Sequence, residues 1–167
     1  MRETIIRRSQ AGDLSALLDI YNYYVLNTPI TFDIEPRTLA QRQEWLTQFG
    51  TSGRYHCFVA ESGGEVTGWA CSTRFKEREA YATSVETSVY CAPAHIGRGI
   101  GRGLYASLLE ALKDQDVHRA YGGITLPNEA SVRLHGTMGF RHIGTYTEVG
   151  RKFGRFWDVA LYQRELG

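Results

Sequence analysis

A glycine-rich, basic loop is the segment of this chain best suited to bind a phosphate group. It runs from Gly97 to Gly103 and reads Gly-Arg-Gly-Ile-Gly-Arg-Gly. An apolar stretch that ends at Pro93 precedes it, and an amphipathic helix is predicted to follow. Such a loop turns several backbone N–H groups toward one point at a helix N-terminus, where an anion is stabilised. Glycine suits these positions because a Cβ would hold the ligand away from the backbone.

Two common phosphate-binding motifs do not fit this loop. A P-loop ends in Gly-Lys followed by Ser or Thr, whereas this segment has Gly101-Arg102-Gly103. The dinucleotide motif G-x-G-x-x-G fails because Leu104 takes the place of the third glycine after Gly99 and Gly101. A flexible glycine turn without a ligand remains the alternative interpretation of so short a motif.

A carboxylate in the middle of a predicted strand is the first candidate catalytic group. Glu86 lies in Ser84–Cys91, where strand alternation places Ser84, Glu86 and Ser88 on one face. Glutamate is disfavoured inside strands. A carboxylate in this position can take a proton from an ammonium group, directly or through water. A solvated or ion-paired edge residue is the structural alternative.

A histidine on a later predicted helix is the second candidate. His135 lies in Asn128–Met138, where an imidazole can donate a proton to a leaving thiolate or act as a second base. The structural alternative is a core histidine packed beneath the sheet.

The elements that position these groups follow an α/β order. Hydrophobic periodicity and turn residues predict the order βααβββαβαββ, with one mixed central β-sheet flanked by helices. Residues 1–167 are expected to form a single domain, with no signal peptide at Met1–Thr4. The predicted helices start at the caps Asp13 and Thr38 and run to Leu26 and about Phe49, followed by Gly101–Gln115 and Asn128–Met138. The predicted strands are Thr4–Arg8, His56–Glu61, Val66–Lys76, Ser84–Cys91, His118–Thr125, Phe140–Val149 and Phe156–Gln163.

The composition argues against several classes of partner. The 167 residues carry a formal net charge of +1, which gives no electrostatic basis for binding nucleic acid or an anionic membrane. No apolar run approaches membrane-spanning length. Cys57, Cys71 and Cys91 fall in predicted strands among apolar neighbours. We therefore expect reduced core thiols in a cytoplasmic protein, rather than a disulfide, a metal site or a nucleophile.

The loop resembles the pyrophosphate-binding loop of the GNAT family of N-acetyltransferases. Gly99 and Gly101 match the family pattern R/Q-x-x-G-x-G/A, although Ile96 stands where Gln or Arg is usual. The predicted element order is also similar to that of the family. The resemblance implies the GNAT fold and acetyl-CoA as cosubstrate, with no metal.

A second family motif lies on the helix of His135. Asn128-x-x-Ser131-x-x-x-His135-x-x-x-Gly139-Phe140 resembles the helix after the fifth strand, where the Asn and the small residue contact CoA and the histidine position is often Tyr. The resemblance also implies that the strand before the loop is splayed, so that a backbone N–H near Val89 or Tyr90 can polarise the thioester carbonyl. The implied acetyl-CoA site comprises Ser88, Val89, Tyr90, Cys91, Ile96, Gly97, Arg98, Gly99, Ile100, Gly101, Arg102, Asn128 and Ser131.

Most of the chain is similar to one branch of this family, the phosphinothricin and methionine sulfoximine acetyltransferases. The resemblance rests on Val85-Glu86-x-Ser88-Val89-Tyr90, Leu126-Pro127-Asn128-x-x-Ser131-Val132-Arg133-Leu134-His135, Gly150-x-Lys152-Phe153-Gly154-Arg155-x-x-Asp158 and Phe75-Lys76-x-Arg78-x-x-Tyr81. Phe75 in place of Trp, and Thr83, depart from the pattern. The branch implies a homodimer that acetylates the α-amine of a small amino acid, with Glu86 and His135 catalytic. The implied substrate-binding residues are Phe32, Phe75, Lys76, Arg78 and Arg155.

Two other functions remain open from the sequence. The protein could acetylate protein N-termini or another amine such as a polyamine, but Lys76 and Arg78 do not suit a polycationic acceptor. It could also be a non-catalytic acyl-CoA-binding sensor, which the presence of both Glu86 and His135 disfavours.

Overall fold

The computed structural model describes residues 3–167 and has the element order predicted from the sequence. Met1 and Arg2, part of the segment expected not to be a signal peptide, lie outside the described residues. The helices are α1 (Leu14–Asn27), α2 (Leu39–Leu46), α3 (Ile100–Leu112) and α4 (Glu129–Thr137). The strands are β1 (Thr4–Arg8), β2 (Cys57–Ser62), β3 (Glu65–Arg74), β4 (Ser84–Cys91), β5 (Arg119–Thr125), β6 (Arg141–Lys152) and β7 (Arg155–Glu165).

The seven strands form one mixed sheet in the order β1-β2-β3-β4-β5-β7-β6. Neighbouring strands are antiparallel except for β4 and β5, which are parallel and joined through α3. The predicted mixed sheet is therefore confirmed.

The sheet splits between β4 and β5. The two strands pair only where Ser84–Glu86 faces Arg119–Tyr121, whereas β4 continues to pair with β3 as far as Cys91. At the point of separation the Thr87 hydroxyl donates to the Tyr121 carbonyl at 3.1 Å. The split confirms the predicted splay and opens a gap whose wall is the free edge of β4.

Helices pack on both faces of the sheet. On one face, α3 presents Leu104, Leu108 and Leu112, which are completely buried, against Val85 and its neighbours. The spacing of these leucines is that of one face of an α-helix. On the other face, α1 and α2 cover a second core centred on the buried Trp69 of β3. Because β4 has one face toward each core, its side chains point alternately toward α3 and toward the core beneath α1 and α2.

Most elements differ from their predicted bounds by one or more residues, and the largest differences are at the ends of α2, α3 and β6. Helix α2 ends at Leu46 rather than near Phe49, because the chain turns there. Helix α3 also ends early, at Leu112. The C-terminal hairpin is longer than predicted, because its turn occurs only at Phe153 and Gly154, both of which have positive φ angles. The strand β6 passes through Gly150, where the absence of a Cβ leaves room for the ring of Phe32.

Candidate active site

A groove of about 440 Å³ lies between the glycine-rich loop and α4. Gly97 and Gly99 have φ angles of +80° and +79°, a conformation that other residues rarely adopt. Gly99 is also the N-cap of α3, so the first N–H groups of that helix open into the groove. Backbone donors at a helix N-terminus suit a phosphate or pyrophosphate.

The groove depends on a close approach of α3 to α4. A Cβ on Gly101 would lie 3.1 Å from a methyl group of Leu134, so a larger residue would push the two helices apart. Asn128 caps α4, with its side-chain oxygen accepting from the Ser131 N–H at 3.1 Å. Most of the residues predicted to bind the cofactor line this groove: Val89, Tyr90, Cys91, Ile96, Gly97, Gly99, Ile100, Gly101, Arg102, Asn128 and Ser131. Ser88 lies in the adjoining cavities, and Arg98 is exposed and lines none of these spaces.

A central cavity of about 240 Å³ brings the two predicted catalytic residues together. Glu86 and His135 both line it. Val89 and Asn128 line this cavity and the groove alike, so the two spaces meet at the split between β4 and β5. A ligand bound along the groove therefore has its end within reach of Glu86.

Glu86 lies at the junction of two cavities. It lines the central cavity and also a side cavity of about 480 Å³ that extends beneath α2. Solvent reaches the carboxyl group through these spaces, but the surrounding walls remove much of its hydration and raise its pKa above the usual value of a glutamate. A carboxylate of raised pKa is a better proton acceptor at neutral pH than an ordinary one.

His135 is buried, and its two ring nitrogens both have partners within the protein. Nδ1 lies 2.8 Å from the Ser131 carbonyl, and Nε2 lies 3.0 Å from the Tyr105 hydroxyl. Because a carbonyl only accepts, Nδ1 carries the proton and Nε2 accepts from Tyr105. Burial lowers the pKa of His135, which favours this neutral imidazole. Proton exchange between His135 and a ligand would therefore pass through Tyr105, which also lines the central cavity.

The predicted substrate-binding residues are not all brought to this site. Phe32 lines the central cavity with Glu86. Phe75 instead stacks on Tyr121 at 4.3 Å, and the Lys76 ammonium lies 5.1 Å from the centre of the Phe75 ring. Tyr121 pairs with Glu86 across β4 and β5. Phe75 and Lys76 therefore lie beside the central cavity and do not line it.

The other two predicted substrate contacts lie on exposed turns. Arg78 is exposed and precedes the short turn Glu79–Tyr81. The Arg155 guanidinium lies 4.1 Å above the ring of Trp157 at the start of β7. Neither lines the central cavity or the side cavity, so their roles stay predictions.

Tyrosines that the sequence analysis did not select contribute to the site. The Tyr24 hydroxyl donates to the Cys91 carbonyl at 2.6 Å where β4 borders the groove. Tyr105 connects His135 to Thr87, whose hydroxyl lies 3.3 Å from that of Tyr105. The sequence does contain a signal for Tyr105, because it lies on the leucine-rich face of α3 and a buried tyrosine needs a hydrogen-bond partner.

The three cysteines lie in strands, and the acidic side chains of residues 3–167 do not cluster into a metal site. Cys57, Cys71 and Cys91 are free, and burial raises the pKa of the Cys91 thiol to about 11. This part of the chain has no group of three or more His, Cys, Asp or Glu side chains arranged to bind a metal ion. Its helices are all too short or too polar to cross a membrane.

The split sheet and the glycine loop at the start of α3 together form an α/β fold with an anion-binding groove that leads into a central cavity. Comparison with known proteins identifies the family. The profile of the Acetyltransferase (GNAT) family matches residues 17–140. The chain therefore belongs to the GNAT family of acetyltransferases, and its fold is the GNAT fold.

Named relatives match almost the whole chain. A phosphinothricin N-acetyltransferase of Streptomyces coelicolor is 55% identical over 98% of this chain and 97% of that protein. An L-methionine sulfoximine/L-methionine sulfone acetyltransferase of Salmonella typhimurium is 34% identical over 96% of this chain and 94% of that protein. The crystal structure of a phosphinothricin acetyltransferase from Sinorhizobium meliloti in complex with acetyl-CoA superposes with a TM-score of 0.93, at 32% identity, covering 98% of this chain and 89% of that one.

Proposed function

We propose that this protein transfers the acetyl group of acetyl-CoA to the α-amine of a small amino acid or analogue, such as phosphinothricin, methionine sulfoximine or methionine sulfone. The observation that carries the proposal is the continuity of two spaces. The anion-binding groove of the Gly97–Gly103 loop opens into the cavity of Glu86, with Val89 and Asn128 lining both. The names of the relatives support the choice of donor and acceptor.

The groove fits the elongated donor. The loop amides and the start of α3 would bind its pyrophosphate, and the free edge of β4 beyond Glu86 offers backbone groups to the pantetheine amides. A β4 N–H near Val89 or Tyr90 would donate to the thioester carbonyl and stabilise the negative charge that develops on its oxygen.

Glu86 would prepare the acceptor for direct attack on the thioester. An amine must lose its proton before it can attack, and the raised pKa of Glu86 makes this carboxylate a suitable proton acceptor. The departing thiolate would take the second proton that the nitrogen loses as it becomes an amide. Tyr105, hydrogen-bonded to His135, lines the central cavity where the thioester would lie.

The acceptor would enter from the side opposite the groove. Phe32 supplies an apolar wall beside Glu86. Phe75, Lys76, Arg78 and Arg155 are proposed to bind the acceptor from the rim, with the cations attracting its α-carboxylate. Neither acetylation of protein N-termini nor a non-catalytic sensor is favoured, because the relatives include acetyltransferases named for small amino-acid analogues.

We further propose that the protein is a cytoplasmic homodimer. Its three free thiols suit a reducing compartment. The C-terminal hairpin, made of the edge strand β6, its neighbour β7 and the turn between them, carries large exposed apolar side chains, namely Ile143, Tyr146, Val149, Phe153 and Phe156. Contiguous exposed apolar surface is typical of protein interfaces.

One experiment tests donor and reaction together. Thermal unfolding is followed with acetyl-CoA, CoA and NAD, and acceptor-dependent release of free CoA thiol is measured with phosphinothricin, methionine sulfone and spermidine. Stabilisation by CoA and acetyl-CoA, with thiol release for the amino acids, is expected because a ligand of the native state stabilises the fold. No shift with CoA, or a larger one with NAD, would refute the donor. Spermidine as the best acceptor would refute the substrate class.

A further inference from the structure

Arg42 of α2 is a buried cation enclosed by aromatic rings. Its exposure is only 4%. The guanidinium carbon lies 4.4 Å from the ring centre of Tyr21, 4.3 Å from that of Trp45 and 5.6 Å from that of Trp69. Aromatic faces attract a cation, but they accept the hydrogen bonds of its N–H groups only weakly.

No carboxylate in the described part of the chain, residues 3–167, forms an ion pair with Arg42, and its buried Nε has no hydrogen-bond partner there. Asp33, on the wall of the same cavity, is already engaged. Its oxygens accept from Arg37 at 2.9 and 2.7 Å and from the Tyr21 hydroxyl at 2.5 Å. A buried guanidinium without an acceptor is costly, so this arrangement suits a cation whose anionic partner is a ligand.

The cavity that Arg42 lines is the one that begins at Glu86. The side cavity of about 480 Å³ has Glu86 and Ser88 at one end of its β4 wall and Tyr90 at the other. A molecule whose amine lies at Glu86 therefore has an open path toward Arg42. This path leads away from the central cavity, in which the acetyl group must lie.

The strand register indicates which part of an amino acid would reach Arg42. Arg42 stacks on Trp69, which pairs with Tyr90, four residues beyond Glu86 on β4. Four residues of strand span about 13 Å along the backbone, and the space left between Glu86 and Arg42 is shorter, because both side chains reach into the cavity that they line. An α-carboxylate is attached to the same carbon as the reacting amine and so must stay close to Glu86. The distal group of an extended side chain is the part that can approach Arg42.

We propose that Arg42 binds the oxygen-bearing group at the end of the acceptor side chain, a phosphinate, sulfone, sulfoximine or carboxylate, and so determines which amino acids are acetylated. This inference rests on the proposed acetylation of a small amino acid. It assigns the tail of the acceptor to the side cavity and leaves the α-carboxylate to other cations.

The test compares acceptors that differ only at the tail. Arg42→Met keeps an unbranched apolar chain among the rings but removes the charge and the donors, whereas Arg42→Lys keeps the charge. Arg8→Met is the matched control, because the Arg8 guanidinium also stacks on a ring, that of Phe58 at 5.0 Å, outside the two cavities of Glu86. Steady-state kinetics are measured with phosphinothricin, methionine sulfone and norleucine.

Arg42→Met is expected to raise KM for phosphinothricin roughly tenfold or more, the usual effect of losing a charge-assisted hydrogen bond. KM of Arg42→Met for norleucine should change little. Arg42→Lys should retain part of the preference for phosphinothricin over norleucine, and Arg8→Met should have the wild-type KM for both acceptors. An equal change in KM for phosphinothricin and norleucine would overturn the inference, since it would show a structural role only.

A second measurement does not require turnover or a folded variant. Calorimetry with the CoA-loaded wild-type protein should give tighter binding of phosphinothricin than of norleucine. Equal affinities would overturn the role of Arg42 even if acetyl transfer is observed. A clear preference without any acetyl transfer would support the role of Arg42 and count against the proposed reaction.

Discussion

The imidazole of His135 and the hydroxyl of Tyr105 are joined by a buried hydrogen bond of 3.0 Å that links α4 to α3 directly behind the split in the sheet. The Tyr105 hydroxyl also lies 3.3 Å from that of Thr87, which donates to the Tyr121 carbonyl of β5. One polar network therefore connects both helices to the two strands that separate. Thr87, Tyr105 and His135 all line the central cavity, so the network forms part of its wall.

Tyr105→Phe should impair both stability and turnover. The variant leaves the buried Nε2 of His135 without a donor, which costs about 1–3 kcal/mol. It should lower kcat more than it raises KM for acetyl-CoA, since the hydroxyl faces the central cavity. Tyr162→Phe is the control, because Tyr162 packs against the same imidazole with its ring at 5.8 Å. Unchanged thermal unfolding and kcat in Tyr105→Phe would contradict the proposed network.

Gly122→Ala should displace His135, whereas Gly123→Ala in the same strand should not. A Cβ on Gly122 would lie 2.7 Å from the His135 Nε2, too close for any carbon. A Cβ on Gly123 would be 3.5 Å from a Val159 methyl group, an ordinary contact. We expect Gly122→Ala to lose about 1–3 kcal/mol of unfolding free energy by overpacking and to shift the imidazole NMR signals. Similar stability losses in both variants would show that the close contact between residue 122 and His135 does not cause the loss.

The sequence predicted most of the fold because its signals are local. Strand β4 has the predicted bounds, Ser84–Cys91, since alternation of its side chains between two cores is visible residue by residue. Thr38 caps α2 as predicted, with its hydroxyl accepting from the Gln41 N–H at 3.2 Å. The predicted end of β6 was wrong because the strand continues through Gly150 beneath the ring of Phe32. This contact joins distant segments, so no local pattern predicts it.

The site was less predictable for the same reason. The loop glycines and Glu86 could be selected as candidates because motif and strand position identify them individually, and they line the groove and the central cavity. Arg42 could not be selected as a candidate, because its contacts with rings of α1, α2 and β3 arise only when these three separate segments pack together. On a solvent-facing helix the same residue would be an ordinary surface charge.

Glu86→Gln should lower turnover by roughly two to four orders of magnitude, the usual contribution of a general base. Acetyl-CoA affinity should barely change. In the wild type, kcat/KM should fall as pH is lowered through the pKa of Glu86, which lies above the ordinary value of 4.5, because only the carboxylate accepts a proton. The variant should lose this dependence. Near-normal turnover across the pH range would show that Glu86 is structural.

The same substitution should stabilise the fold at neutral pH. The folded pKa of Glu86 lies above its unfolded value, so the native state binds this proton more tightly. Its contribution to stability therefore falls as pH rises from the unfolded pKa through the folded pKa, and the penalty is complete above the folded pKa. Glutamine carries no such penalty. The unfolding temperature of Glu86→Gln should be higher than that of the wild type at pH 7 but not near pH 4. A lower unfolding temperature of the variant at pH 7 would contradict the raised pKa of Glu86.

Gly99→Ala and Gly64→Ala form a matched pair for the cofactor loop. Both glycines have positive φ angles, +79° and +85°, and both have open space where a Cβ would lie. Each substitution should cost about 1 kcal/mol or more of backbone strain. Only Gly99 lines the groove, so only Gly99→Ala should also weaken stabilisation by acetyl-CoA. Titrated thermal shifts separate the two effects, and equal acetyl-CoA affinity in the two variants would contradict the assignment of the loop.

The edge strand β6 should be a contact between two copies of the chain. Val149 on β6 and Ile5 on β1 lie on opposite edge strands of the sheet, and each is 54% exposed. Val149→Asp should dissociate a dimer formed through β6 because it places a charge in a surface that must lose its water. Ile5→Asp, with the same loss of apolar surface, should leave the assembly intact.

Light scattering at micromolar concentration measures the mass of each variant. The wild type should have twice the mass of the 18.8 kDa chain, Val149→Asp should approach the monomer mass, and Ile5→Asp should match the wild type. A monomeric wild type would refute the dimer. A dimer that survives Val149→Asp and is lost in Ile5→Asp would place the contact at β1 instead, and the exposed aromatic residues of the C-terminal hairpin would then need another explanation.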